Sequence, residues 1–198
     1  MQIAIIKYNA GNVQSIQYAL KRLGFDAVIT NDHNQILAAD KVIFPGVGNA
    51  FSAMESLKGN GLDLLIPKIT KPVLGICVGM QLLCTHSEEN DTIGLGIIDL
   101  KVKKFVATDM QTKIPHMGWN TIENLNSPLF EGIQESSYVY YVHSYYVEKG
   151  METIASTNYI IEYSAVIHKN NFYGVQFHTE KSAMVGDKIL LNFLKLDI

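Results

Sequence analysis

The sequence predicts an α/β fold: a mainly parallel open sheet flanked by helices, with an added antiparallel section. Three observations carry this reading. Short, wholly apolar runs alternate with helix-patterned stretches through the first half of the chain, turns containing Gly, Pro or Asn follow those runs, and the second half changes to aromatic and β-branched stretches with few helical signals. Parallel strands need crossover connections, and the helical stretches supply them with the usual right-handed sense.

Ile3-Ala4-Ile5-Ile6 has no polar face, as a strand covered on both sides requires. After the turn Asn9-Ala10-Gly11-Asn12, Val13, Ile16, Leu20 and Leu23 recur at helical spacing, with Asn12 as N-cap and Gly24 as the stop. Ala27-Val28-Ile29 repeats the unit, followed by a polar turn and a short helical stretch. Val42-Ile43-Phe44 leads through Pro45-Gly46-Val47-Gly48 into a helix ending near Gly59, and Val73-Leu74-Gly75-Ile76 opens onto residues 77–85. From about Gly94, residues 101–105, 138–147, 153–156, 164–168 and 172–177 read as strands, expected as antiparallel additions to the sheet. Lys169-Asn170-Asn171 is the turn between the last two. A helix over 185–196 closes the chain and lays Ile189, Leu190, Phe193 and Leu194 on the sheet. No linker, repeat or low-complexity stretch interrupts this order, so residues 1–198 read as one domain.

Composition narrows the function. The 198 residues are 47% hydrophobic and 18% charged, enough for a core that needs neither disulfide nor metal to hold it. With 19 acidic against 16 basic side chains and no run of Lys or Arg longer than the pair Lys103-Lys104, the chain offers no electrostatic footprint for nucleic acid or an anionic membrane. No apolar run reaches the ~18 residues of a membrane span, and Met1-Gln2-Ile3-Ala4 enters a strand pattern rather than a leader. A cytoplasmic location is therefore expected. The two cysteines, Cys77 and Cys84, are spaced neither as a CxxC metal motif nor as a secreted framework.

Gly75-Ile76-Cys77-Val78-Gly79 is the densest chemical signal. A nucleophile between a buried strand and a helix, with glycine two residues away on each side, has the form of a nucleophile elbow with sulfur in place of oxygen. The glycines allow neighbouring backbone to pass close by, and the free N–H groups of the helix start, that of Val78 in particular, favour an anion and a developing oxyanion. A buried cysteine in a tight strand-to-helix turn would read the same way. Among six histidines, His178 ends a strand pattern and is followed two residues later by Glu180, which in an extended chain lies on the same side and can hold one imidazole nitrogen. A surface His-x-Glu pair is the plain alternative. Gly46 and Val47, after the third strand, can present a second N–H to the oxyanion, since parallel strand ends converge on one crevice. His33, His86 and His168 lie in polar surroundings and read as solvated. A zinc site from Cys77, His143 and His178 lacks the expected companion motifs, so no metal is expected.

Together these segments resemble the class I glutamine amidotransferase family. The resemblance spans nearly the whole chain through Tyr8-Asn9-Ala10-Gly11-Asn12, residues 45–48 with Phe51, residues 75–83, Pro115-His116-Met117-Gly118-Trp119-Asn120, Val142-His143-Ser144-Tyr145-Tyr146 and residues 174–182. It implies a flavodoxin-like class I glutaminase fold without cofactor and a Cys77, His178, Glu180 triad that hydrolyses L-glutamine to glutamate and ammonia through a thioester. It also implies an oxyanion site at Val78, Gly46 and Val47, and substrate binding by Gln81, Glu89, His143, Ser144 and Tyr145, with the Glu89 carboxylate suited to an α-ammonium group. The implied partner is the cyclase barrel subunit of imidazole glycerol phosphate synthase, in histidine biosynthesis, met by Asn12, Trp119 and Lys181 with the loop around His116. Ammonia protonates in bulk water, so such a partner would receive it through a closed path. A glutaminase serving another acceptor, such as a surface sugar, and a non-catalytic scaffold of the same fold are the competing expectations. Lys7 and Thr179 stand where the family usually has an acidic residue and proline. Low activity is expected of the isolated chain, because a glycine-flanked Val47 peptide has more than one accessible orientation for a partner to select.

Overall fold

The structure is a computed structural model and describes residues 1–9, 13–109 and 113–196. In chain order it contains β1 (Ile3–Ile6), α1 (Val13–Arg22), β2 (Ala27–Thr30), α2 (His33–Ala38), β3 (Lys41–Gly46), α3 (Ala50–Gly59), α4 (Leu62–Leu65), β4 (Val73–Cys77) and α5 (Val78–Leu83). Then follow β5 (Cys84–Ser87), β6 (Thr92–Ile93), β7 (Ile98–Lys104), β8 (His116–Ile122), β9 (Ser137–His143), β10 (Tyr145–Val147), β11 (Thr153–Tyr159), β12 (Ile161–Lys169), β13 (Phe172–Val175) and α6 (Ala183–Lys195).

The apolar runs pair as expected. A seven-stranded sheet has the order β11-β12-β13-β4-β3-β1-β2, and its five strands from β13 to β2 are mutually parallel. β1, β3 and β4 are buried at every residue, which is why no alternation shows in their sequences. α1 buries Ile16, Ala19 and Leu20, and Gly24 ends it at φ +88° with its N–H on the Lys21 carbonyl. α3 is capped by Asn49, whose Oδ1 accepts from Phe51 and Ser52 N–H, a cap worth about 1 kcal/mol. One apolar cluster extends from β1 to α6.

Three sequence expectations need correction. Only β11 and β12 extend the main sheet in antiparallel fashion, whereas β13, expected with them, runs parallel to β4. Residues 138–147 are two strands rather than one: β9 pairs with β8 in a separate hairpin, and β10 pairs with β7 in a four-stranded sheet of order β10-β7-β5-β6. The break falls at Ser144, whose carbonyl accepts from Phe105 N–H. The segment around His116, expected as a loop, is strand β8. Among the described residues no helix is long and apolar enough to cross a membrane.

Candidate active site

Cys77 is the last residue of β4, and its neighbours are fixed by the sheet. Gly46, at the end of β3, lies opposite it in the parallel register, while β13 flanks β4 on the other side with Val175 opposite Ile76. The thiol therefore sits at the carboxyl ends of adjacent parallel strands, where open α/β sheets place their sites. Its backbone is at φ 56°, ψ −112°, a region that costs a non-glycine residue of order 1–3 kcal/mol. The surrounding packing holds it there. A Cβ on Gly79 would lie 2.0 Å from the Phe44 carbonyl oxygen, and one on Gly75 2.9 Å from the Gly79 backbone, so the elbow closes only with glycine at both positions.

His178 faces this sulfur from beyond β13. Its Nδ1 is 2.8 Å from Glu180 Oε1, and both side chains are buried. The route to this pairing differs from the extended chain expected. Residues Thr179–Lys181 form a single 3-10 turn, closed by hydrogen bonds from Lys181 N–H to the His178 carbonyl (3.1 Å) and from Ser182 N–H to the Thr179 carbonyl (3.1 Å). Ser182 Oγ also donates to the His178 carbonyl at 2.6 Å, and His178 N–H donates to the Tyr140 carbonyl at 2.9 Å. Burial alone would lower the His178 pKa, but its hydrogen bonds to Cys77 and Glu180 and their charges outweigh burial and hold it at about 10. The site is thus built to keep an imidazolium between a sulfur and a carboxylate.

A cavity of about 330 Å³ opens in front of Cys77 and His178, enough for an amino-acid-sized ligand. Its lining brings together Val47, Val78, Gln81, Glu89, His143, Ser144 and Tyr145 from segments far apart in the chain. Glu89 reaches the cavity with Oε2 on the Ala50 N–H at 2.6 Å. Gly46 does not line the cavity; it is buried behind it, where a Cβ would meet Gly79 N at 2.4 Å. Among the described residues, no three His, Cys, Asp or Glu side chains are grouped to hold a metal ion.

The glutamine amidotransferase class-I family model matches residues 4–196. The chain belongs to the class I glutamine amidotransferase family. A relative from Bacteroides thetaiotaomicron, named imidazole glycerol phosphate synthase subunit HisH, is 55% identical over 196 residues, covering 99% of this chain and 100% of the relative. One of the same name from Yersinia pseudotuberculosis is 46% identical over 198 residues, with 99% and 100% covered. Among solved structures, a glutamine amidotransferase superposes with TM-score 0.75 at 16% identity, covering 98% of this chain and 97% of that one. PurLQS from Thermotoga maritima gives 0.69 at 18% identity, with 98% and 97% covered. At such identities these structures attest the amidotransferase fold.

Within this amidotransferase, Trp119 and Lys181 come together away from the cavity. Trp119 is 52% exposed and stands edge-on to Tyr140, ring centroids 5.9 Å apart, while Lys181 Nζ lies 6.0 Å from the Tyr140 ring. Asn12 lies outside the described residues. Lys7 is exposed, and Thr179 is buried with its hydroxyl unpaired, so neither departure from the family pattern removes a group from the site. Two buried side chains near the thiol went unread in the sequence. Gln176 Nε2 lies 3.8 Å from Cys77 Sγ while its Oε1 accepts from Gln81 at 3.0 Å, and the Tyr8 hydroxyl donates to the Pro45 carbonyl at 2.6 Å. The signal for Gln176 was an uncharged polar residue inside the apolar run Phe172-Tyr173-Gly174-Val175-Gln176-Phe177, since a buried polar group needs a partner.

Proposed function

We propose that this chain is the glutaminase subunit of imidazole glycerol phosphate synthase, acting in the cytoplasm in histidine biosynthesis, with residues 1–198 as one domain and no cofactor of its own. The observation that carries the chemistry is the convergence of Cys77, His178 and Glu180 at the end of β4 beside a cavity sized for glutamine. The full-length likeness to the Bacteroides subunit supports the pathway.

In this reading the Cys77 sulfur attacks the side-chain amide carbon of L-glutamine with its proton on His178. The tetrahedral oxyanion is met by the backbone N–H of Val78 and that of the Gly46-Val47 segment. His178 passes its proton to the amide nitrogen, ammonia leaves, and a glutamyl thioester remains. Water then attacks the thioester carbonyl with His178 as base, releasing glutamate and restoring the thiol. Glu180 fixes the imidazole's orientation and stabilises its charged form. Glu89 binds the α-ammonium of the substrate, with Gln81, Ser144 and Tyr145 around its polar end. The His143 ring nitrogens are both engaged by protein, at 2.8 Å to the Tyr145 carbonyl and 3.0 Å to the Tyr163 hydroxyl, so its contribution is to the shape of the wall.

The exposed face around Trp119 and Lys181 meets the cyclase, and Asn12, which lies outside the described residues, is a further contact in this reading. Ammonia release from glutamine, measured with and without the cyclase subunit, tests the reading. The expected result is low release alone, a rise of at least about tenfold with the cyclase, and loss of both in Cys77→Ala. Equal rates with and without it refute the gating at Val47. Stimulation by a different synthase, and none by the cyclase, overturns the histidine assignment.

A further inference from the structure

The cavity wall at His143, Ser144 and Tyr145 is backed by a row of buried polar groups that the cysteine chemistry does not use. His143 Nδ1 lies 2.8 Å from the Tyr145 carbonyl and its Nε2 3.0 Å from the Tyr163 hydroxyl. The same hydroxyl is 3.0 Å from His116 Nδ1, and His116 Nε2 is 3.4 Å from the Asn120 side-chain nitrogen.

The direction of each hydrogen follows from the chemistry of its partners. A carbonyl only accepts, so His143 Nδ1 carries the hydrogen. Burial holds the His143 pKa at about 3, and the ring is neutral at working pH, which makes Nε2 an acceptor and Tyr163 its donor. The hydroxyl has one hydrogen, so its oxygen accepts from His116 Nδ1–H. Burial likewise keeps His116 neutral, with a pKa near 4, and its Nε2 accepts from the Asn120 amide. Every hydrogen in the row points from Asn120 toward the Tyr145 carbonyl.

That carbonyl is a junction. It also accepts from Gln81 Nε2 at 2.8 Å, and Gln81 continues to Gln176, which faces the Cys77 sulfur. The far end of the row is equally constrained: His116 is stacked between Tyr159 (centroids 4.0 Å, planes 7° apart) and Tyr141 (4.8 Å, 18°). Without the Tyr163 hydroxyl, His143 Nε2 would be a buried acceptor with no donor. Moving the hydrogen to Nε2 would then break the bond that fixes the Tyr145 carbonyl.

We propose that Tyr163 is a positioning residue for the glutaminase site: through His143 it sets the orientation of the 143–145 wall that receives the amino-acid end of glutamine, and His116 sets the direction of its hydroxyl. The substrate named here rests on the proposed function, whereas the hydrogen-bond row rests on the distances between its members and the burial of its rings.

Kinetics with the cyclase bound test the role. Tyr163→Phe is expected to raise the KM for glutamine at least about tenfold with kcat within about threefold, the pattern of lost substrate positioning rather than lost chemistry. His116→Leu is expected to raise KM as well, while His116→Asn, whose amide nitrogen can replace Nδ1 as donor, should return it to within about threefold of the parent. An unchanged KM in folded Tyr163→Phe, a fall confined to kcat, or equal effects of His116→Leu and His116→Asn would overturn the proposal. If Tyr163→Phe does not fold, the His116 pair decides. Nitrogen NMR of the parent's histidine rings reads the row without turnover. Nδ1–H tautomers at both His116 and His143 support it, and an Nε2–H tautomer at either overturns it. A chain that hydrolyses no glutamine even with the cyclase refutes the functional reading, a result the tautomers distinguish from failure of the row.

Discussion

Cys77 shows how a single residue's placement costs stability and supplies chemistry. Its positive φ turns the sulfur out of the sheet toward His178, and the imidazole's charged form is secured from the opposite side by Glu180. His178 titrates near 10 in the folded chain against an ordinary 6.5, so the folded state keeps its proton longer than the unfolded one. Its contribution to stability is therefore fully present below about pH 6.5 and is lost as pH rises through about 10. Glu180→Gln should lower the His178 titration midpoint, followed by NMR of the ring, and reduce glutamine turnover by roughly 10²- to 10⁴-fold. An unmoved midpoint would mean that the carboxylate does not hold the proton. The cysteine, histidine and glutamate were legible because each sits in a short pattern. Tyr163 and Tyr8 were not, because nothing local distinguishes a polar side chain that reaches a site from one that faces solvent, and Gln176 showed only as a polar residue in an apolar run, with no pointer to the sulfur it faces.

At the scale of elements, two turns position the chemistry. The strand-to-helix turn was readable from its glycines, and Gly79→Ala, which sets a methyl 2.0 Å from the Phe44 carbonyl, should leave little folded protein. The turn bearing Glu180 was misread as extended chain, because one His-x-Glu spacing fits both a strand end and a 3-10 turn. That turn is closed by Ser182 and by hydrogen bonds to β9, so it holds its geometry without the proline usual in the family. His178 already has the extended backbone that a following proline requires, at φ −85°, ψ 104°. Thr179→Pro is accordingly expected to retain activity and to add about 0.4–1 kcal/mol of stability in denaturant titration. A loss of turnover in that variant would show that the threonine departure is functional. The boundary inside residues 138–147 was invisible in sequence for a related reason: both halves are aromatic and β-branched, and only their pairing partners, β8 and β7, separate them.

Over the whole molecule, the parallel order of the sheet was legible in the alternation of apolar runs and helices, while the separate hairpin and four-stranded sheet depend on long-range pairings that no local pattern records. The hairpin's outer face carries Met117 at 63% and Tyr138 at 60% exposure beside Trp119, an apolar surface fit for a partner. Trp119→Ala should weaken cyclase binding by about 2 kcal/mol or more in calorimetry without lowering the melting temperature. His116 and His143 impose a global pH dependence opposite in sign to that of His178. Burial keeps both neutral in the fold, with pKa values near 4 and 3, so the unfolded state takes up more protons as pH falls below about 6.5. The melting temperature should decline from pH 6.5 to pH 4, and a flat profile there would contradict the neutral pair.

The most direct measurement is peptide mapping by mass spectrometry after the chain, with the cyclase bound, is treated with an electrophilic diazoketone analogue of glutamine. One covalent adduct is expected, on Cys77, suppressed by excess glutamine and absent in Cys77→Ala. No adduct at Cys77, or equal modification of the buried Cys84, would contradict a glutamine-hydrolysing thiol at the end of β4.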